Sequence, residues 1–493
     1  MKTTKVLLCL ALLLPSIGLQ AQTNPKREFR GAWMHTVFQG QYHRQTSDEN
    51  KAYLIGQLDS LKEVGVNAVL FQVRPQADAF YESKFEPWSC YLTDNGEAPV
   101  PYWDPLKFMI DECHARGMEL HAWLNPYRVT SNTKQIGELP KSHIYHQHPE
   151  RFLKYDDGKL YFDPGLPENR EFICKVVEDI ITRYDVDGIH FDDYFYPYPV
   201  KDKDFPDDAS YAKYGNGMDR GDWRRQNVDR LIEDIHNTIA ATRPWVRFGI
   251  SPFGIWRNKK SDPRGSDTNG LQNYDALYAD VLLWDEKGWI DYLLPQLYWT
   301  LEHKSASSLV LVDWWANVGL KRHLYIGQDI GATMKNPDLP PSTEKTQLRH
   351  KIELTRQNDN IHGNCWWPGY SLSRNVGGVA DSLKTKYQST PALVPTYPWI
   401  KTGAPAPVAK VRLAADNSFS WDAPIPMGKA GDVVKFAVYR FDNRKNIDIE
   451  APGALVALTY SKTFKPTKPG VYVVTALDRV NNESEPSKPI VIK

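Results

Sequence analysis

Two rhythms of apolar and polar positions alternate along the first three quarters of the chain. Between residues 28 and 370, short apolar runs are separated by longer stretches in which apolar residues return every three or four positions. The short runs are FRGAWMHTV (29–37), NAVLFQVRP (67–75), MELHAWLNPYR (118–128), DGIHFDDY (187–194), VRFGISPFG (246–254), IDYLLPQLYW (290–299), HLYIGQDI (323–330) and IHGNCWWPGY (361–370). The longer stretches read as helices. YLIGQLDSLKEVG precedes the second run and PLKFMIDECHARG the third, and both close on Gly, the residue a helix C-terminus prefers. In REFICKVVEDIITRYD, residues Phe172, Val176, Val177, Ile180 and Ile181 share one helical face. Eight strands alternating with helices predict a (β/α)8 barrel, the TIM barrel of the α/β class, over residues 27–390. An open doubly wound sheet is the weaker reading, because neither a Gly-rich phosphate fingerprint nor a GxxxxGK[ST] loop is present. Two long connections, roughly 129–170 and 195–222, follow strands at the end where barrel enzymes build their sites.

Beyond Tyr387 the texture changes. STPALVPTYPWIKTGAPAPVAK is rich in Pro and small residues and reads as a linker or strap, placed at 391–403. Short alternating runs then fill residues 404–493 and predict a small all-β sandwich. The Trp in SWDAP and the closing VTALDRVNNESEPS give it a resemblance to a fibronectin type III module. At the other end, Lys2 and Lys5, the apolar run Val6 to Leu14 and a cut after Ala21 make residues 1–21 an export signal. Cys9 lacks the small-residue context of a lipoprotein cleavage site, so the expected product is soluble, periplasmic or secreted, without a membrane span.

Composition narrows the partners. Lys plus Arg equals Asp plus Glu at 60 each, which argues against a nucleic-acid partner. Cys90, Cys113, Cys174 and Cys365 are scattered without metal-ligand spacing, and nothing requires a disulfide. Aromatics make up 12% of the residues, and many fall at predicted strand ends, where their faces suit sugar rings.

The candidate chemistry gathers at those same ends. In the fourth run Gly188, His190 and Asp192 share one face and Ile189 and Phe191 the other, so His190 and Asp192 point into the barrel. Asp193 sits on the lip, its direction undecided by periodicity; capping of the following turn is the alternative use for either acid. Polar and aromatic tips accompany the pair: Trp33 and His35 on the first run, Gln72 and Arg74 on the second, and His121, Asn125 and Arg128 on the third. Tyr194 follows the fourth, Gln296, Tyr298 and Trp299 end the sixth, Asp329 the seventh, and Trp366 and Trp367 the eighth. Carboxylates among hydroxyl-binding donors and aromatic platforms are what glycoside hydrolysis requires. There is no GxSxG, and Ser251 lies in ISPFG without a nucleophile elbow. The histidines of HIYHQH (143–148) match no metal motif, and neither metal nor cofactor is expected. HFDDY superficially matches the Thr-Phe-Asp-Asp of zinc polysaccharide deacetylases, but the pair arrives on the fourth strand and no HxxxH follows.

Six segments in order, REFRGAWMHTV, FQVRPQADAFYESKFEPWS, AWLNPYRV, VDGIHFDDYFYPYP, ISPFGIWR and YLLPQLYW, resemble the glycosyl hydrolase-like 10 family over about residues 27–385. The resemblance implies a barrel related to the α-amylase-like group and a glycosidase acting on polysaccharide, with peptide-free (denuded) peptidoglycan strands as the leading substrate. DGIHFD is similar to the Asp-Gly-x-Arg-x-Asp of that wider group, with His190 in the Arg place, which would make Asp192 the nucleophile-like carboxylate. The fifth run offers no Glu where those enzymes keep their acid, leaving Asp193, Glu302 and Asp329 as candidates. That gap keeps open a second reading, a glycan-binding protein on a barrel that has lost its acid.

Overall fold

A computed structural model describes residues 24–493 apart from residue 452. The expected export segment lies outside the described residues. Eight parallel strands close into a barrel: β1 (Phe29–Met34), β2 (Ala68–Arg74), β3 (Glu119–Leu124), β4 (Gly188–Phe191), β5 (Arg247–Ile250), β6 (Tyr292–Leu293), β7 (His323–Asp329) and β8 (Ile361–Trp367). They follow one another around the ring in chain order, and β1 closes it by pairing with both β2 and β8. Every strand falls within its apolar run but is shorter than it. The extreme case is β6, where Pro295 cannot donate to a ladder and leaves two paired residues. The residues left over at the C-terminal ends turn into the mouth of the barrel.

The helices form where the apolar periodicity placed them. α1 (Ser47–Glu63) begins on a capping box between Thr46 and Glu49. It stops at Gly65, whose φ of 84° fits the left-handed turn. There the Val66 N–H reaches back to the Leu61 carbonyl and the Gly65 N–H to that of Lys62. α2 (Pro105–Ala115) ends in the same arrangement at Gly117. α3 (Pro167–Arg183) buries Phe172, Val176, Val177, Ile180 and Ile181 against the barrel.

Rings fill the lumen. Phe29 stacks on Tyr325 with centroids 4.0 Å apart, and His121, Tyr292, His190 and Trp33 follow toward the mouth. Such bulk fits because facing positions are glycine: a Cβ on Gly249 would meet the Tyr292 ring at 1.8 Å, and one on Gly188 the His121 ring at 2.6 Å.

After the barrel the chain makes two antiparallel sheets, β9 (Ala409–Leu413), β10 (Phe419–Asp422) and β13 (Thr463–Phe464) against β12 (Leu455–Thr459), β11 (Val433–Phe441), β14 (Gly470–Asp478) and β15 (Ile490–Ile492). The segment before them buries Ala392, Leu393, Val394 and Tyr397. It is pinned by the Leu393 N–H on the Lys26 carbonyl (2.8 Å) and by Trp399 Nε1 on Asp291 (2.6 Å). The sandwich thereby sits under the N-terminal end of the barrel, and Lys435 of β11 and Asn481 both reach Glu119 of β3, at 2.9 and 3.0 Å. Cys90, Cys113, Cys174 and Cys365 are free thiols. Among the described residues no helix is long and apolar enough to cross a membrane.

Candidate active site

Alternation along β4 sends Ile189 and Phe191 outward under the helices, both fully buried, and His190 and Asp192 inward. The strand ends at Phe191, so the backbone turns at the next residues and the Asp193 carbonyl accepts the Phe195 N–H (3.1 Å). That turn brings Asp193 into the same cleft as Asp192 instead of out to solvent. The cleft, of about 410 Å³, is lined by Trp33, His35, Val37, Phe38, Gln72, Trp123, Arg128, Asp192, Asp193, Tyr194, Ser251, Gln296, Tyr298 and Trp367.

The two acids lean apart. Asp192 faces β3, accepting from Trp123 Nε1 (3.2 Å) and Asn125 Nδ2 (3.2 and 3.3 Å), and it also takes the Tyr194 N–H (3.3 Å). Asp193 faces β6, accepting from Gln296 Nε2 (3.2 Å) and from the hydroxyl of Tyr198. Among the described residues no ion pair neutralises either acid, both being 3% exposed or less. Burial, and then the charge of Asp193 alongside, push Asp192 up to about 7, against a weaker downward pull from Arg128. Burial raises Asp193 too, while Tyr198 and Gln296 favour its ionised form. Burial and mutual repulsion thereby favour a proton on the pair, an acid beside a base.

A second layer fixes this geometry. Arg74 forks onto Glu86, Nε to Oε2 at 2.8 Å and Nη2 to Oε1 at 2.6 Å. Its Nη1 holds the carbonyls of Asn125 and Pro126, which sets the turn that aims the Asn125 amide at Asp192. Arg128 places Nε and Nη2 on the Pro75 carbonyl (2.9 and 2.5 Å) and lies 5.0 Å over the Tyr194 ring. Beneath Asp192, the Trp33 indole N–H donates to His190 Nε2 (3.2 Å). An indole cannot accept, so the neutral His190 carries its proton on Nδ1, toward the Tyr292 hydroxyl at 3.0 Å. Burial and the neighbouring His121 hold His190 well below its usual range.

A family model described as "Glycosyl hydrolase-like 10" matches residues 28–338. The chain belongs to the glycosyl hydrolase-like 10 family. It is 39% identical over 488 residues to the glycosyl hydrolase YngK of Bacillus subtilis (strain 168), covering 96% of this chain and 95% of that protein. It is 40% identical over 327 residues to the glycosyl hydrolase DigH of Escherichia coli (strain K12), covering 63% of this chain and 73% of the relative. Among solved structures, the glycoside hydrolase domain of PgaB (BpsB) from Bordetella bronchiseptica aligns at a TM-score of 0.47 and 13% identity, over 73% of this chain and 99% of that one.

This glycosyl hydrolase-like 10 member is a glycoside hydrolase, and its barrel brings Asp192, Asp193, Gln72, Arg128, Tyr194, Gln296, Tyr298 and Trp33 together at one cleft. Other residues expected there stand elsewhere. Arg74 and Asn125 are buried behind the acids as supports, and His121 is sealed in the lumen between Tyr292 and Glu119. Of the two tryptophans expected at the end of the eighth run, Trp366 is fully buried: inward alternation on β8 passes through Cys365 and Trp367, so Trp367 alone lines the cleft. Trp299 packs edge-on against Phe253 (5.5 Å), and its carbonyl accepts Lys351 Nζ. Asp329 caps the helix Ile330–Lys335 through the Ala332 N–H. Glu302 is exposed, outside the cleft. Trp123 joins the site by the His121–Trp123–Asn125 alternation, a signal available in the sequence. Tyr198 and Phe38 arrive from loops, and Glu86 from a connection, with no periodic signal. The histidines of 143–148 are used locally, His143 capping Tyr145 and His146 bonding the Leu139 carbonyl.

Proposed function

We propose that this glycoside hydrolase is exported to the periplasm or the exterior and cleaves glycosidic bonds in peptide-free peptidoglycan strands. The observation that carries the reading is the Asp192–Asp193 pair in an aromatic-walled cleft with Arg128 beside it. An acid and an ionised carboxylate a residue apart supply the proton-transfer chemistry of glycoside cleavage. Trp33, Trp367 and Tyr298 offer faces for sugar rings, and Gln72, Gln296 and Tyr194 offer partners for hydroxyl and acetamido groups. Arg128 spends Nε and Nη2 on the backbone, and among the described hydrogen bonds Nη1 has no protein acceptor. That free donor suits the lactyl carboxylate of a muramic acid residue whose peptide has been removed. Export is supported by the N-terminal Lys-apolar-Ala pattern.

The test incubates the full-length mature protein with peptide-free peptidoglycan strands and reads the products by mass spectrometry. Shortened strands bearing new reducing ends are expected from the wild type and none from Asp192→Asn. Intact strands after prolonged incubation with active-site-intact protein would remove this substrate.

A further inference from the structure

Among the described residues, the cleft presents two carboxylates and both hang from one strand end. Glu86 is sealed against Arg74, Asp329 caps a helix, Glu302 lies on the surface, and Glu119 is at the opposite end of the barrel. The Cα atoms of Asp192 and Asp193 are about 3.8 Å apart, and both carboxyl groups enter the cleft from its β4 side. Cleavage by an enzyme nucleophile, or by a water that a carboxylate activates, needs a second carboxyl group across the sugar ring from the acid. Across the barrel from β4 stand β8 and β1, and their contribution to the cleft is Trp367, Trp33 and His35. Burial pushes His35 down to about 4, and its Nε2 lies 2.5 Å from the Gln39 amide nitrogen, so it is a neutral ring already engaged.

What that wall does offer is an aromatic box. Trp367 lies parallel to Tyr298 at 6.5 Å, Trp33 stands edge-on to Tyr298 at 6.2 Å, and Trp123 edge-on to Trp367 at 6.1 Å. Its walls fit a small apolar group such as a methyl, and the Tyr298 hydroxyl has no protein partner among the described hydrogen bonds.

Resting on the hydrolase reading above, we infer that the attacking group is supplied by the substrate: the carbonyl oxygen of a 2-acetamido group, its methyl in the aromatic box, with Asp192 and Asp193 dividing the roles of acid and acetamido-orienting carboxylate. In the first step the acetamido oxygen forms a bond to C1 as the C1–O bond to the leaving sugar breaks. The bonding pair goes to the leaving oxygen, which takes the proton of the protonated Asp. The ionised Asp holds the amide N–H as positive charge develops in the resulting oxazolinium ring. In the second step water attacks C1, the ring opens to restore the acetamide, and the proton lost by water returns to the carboxylate that acted as acid. Two inversions give net retention. The enzyme would therefore require an N-acetylated sugar on the non-reducing side of the scissile bond.

The experiment compares fully N-acetylated peptide-free strands with the same strands chemically de-N-acetylated. Product anomers are read by NMR at early times, and binding of the thiazoline derived from N-acetylglucosamine, a stable oxazoline analogue, is followed by calorimetry. Retention, a loss of at least about 10³-fold on the de-N-acetylated strand and thiazoline binding are expected, because an oriented internal nucleophile is worth a large effective molarity. Cleavage of the de-N-acetylated strand at a comparable rate, or inverted product, overturns the inference while leaving the hydrolase reading intact. Thiazoline binding without turnover of either strand supports the inference and removes peptidoglycan as substrate; no thiazoline binding overturns the inference.

Discussion

The barrel lumen carries buried carboxylates at both ends, and the two ends treat them in opposite ways. At the N-terminal end Glu119 on β3 is ringed by cations and donors: Arg247 Nη2 at 2.6 Å, Lys435 Nζ at 2.9 Å and Asn481 Nδ2 at 3.0 Å, with His121 above at 3.4 Å. Burial works against its charge, yet Arg247 and Lys435 outweigh that cost and hold the carboxyl well below its usual range. At the C-terminal end Asp192 and Asp193 receive neutral donors alone, and burial lifts both. Strand position is comparable, inward-facing and buried. The difference is whether a cation was built alongside. An ion cluster whose charges answer one another joins the sandwich to the barrel, whereas an under-neutralised pair favours a proton in the cleft.

The sharpest way to break the contrast is to neutralise one acid at each end. Asp192→Asn should cost at least about 10³-fold in kcat/KM on a cleavable strand, the scale of a lost general acid or base. The same change should leave melting temperature unchanged or higher, since the cost of burying an ionisable carboxyl beside Asp193 is gone; a stability loss would make Asp192 structural. Glu119→Gln leaves Arg247 and Lys435 buried without their anion and should destabilise by about 3–5 kcal/mol in denaturant unfolding. Activity per folded molecule should survive that substitution.

The pH responses should also run in opposite directions. Asp192, raised to about 7 in the folded chain against 3.8 as an ordinary carboxyl, is protonated when folded and ionised when unfolded between those values. It therefore contributes stability at acid pH that is lost as pH rises from about 4 through about 7. Glu119 is lowered below 4.5, so its contribution is present above 4.5 and lost as pH falls toward its depressed value. Melting temperature against pH should flatten between 4 and 7 in Asp192→Asn and lose part of its acid-side decline in Glu119→Gln. Cleavage by the wild type should fall as pH climbs beyond about 7 and the shared proton leaves. The smallest effect separates two tryptophans: Trp367→Ala should raise KM by about fivefold, the worth of roughly 1 kcal/mol of ring contact, while Trp299→Ala should leave KM unchanged.

Much of this was legible in one dimension because barrels are periodic. Alternation along β4 placed Asp192 and His190 inward before any contact was known, and the same rule on β3 reaches Trp123. Periodicity fails where strands end. Asp193 turned inward because β4 stops at Phe191, and Tyr198 arrives on a loop without a repeat. It also fails where two polar tips on one strand take different fates: Gln72 lines the cleft and binds the Thr36 and Val37 N–H groups, while Arg74, two residues on, is sealed against Glu86. On β8 two adjacent tryptophans look alike in sequence, and strand register alone decides that Trp367 lines the cleft while Trp366 is buried.

The sequence by itself determined the barrel, the sandwich, the helix ends at Gly65 and Gly117 and the strand end that bears the acids, because these follow from local periodicity and backbone sterics. Only the tertiary structure decided which buried carboxylates are ionised. That depends on Arg247, Lys435 and Asn481 arriving at Glu119 from 128, 316 and 362 residues away, and on none of them reaching Asp192. Charge compensation in a low-dielectric interior is set by distances of a few ångströms, which chain separation does not encode.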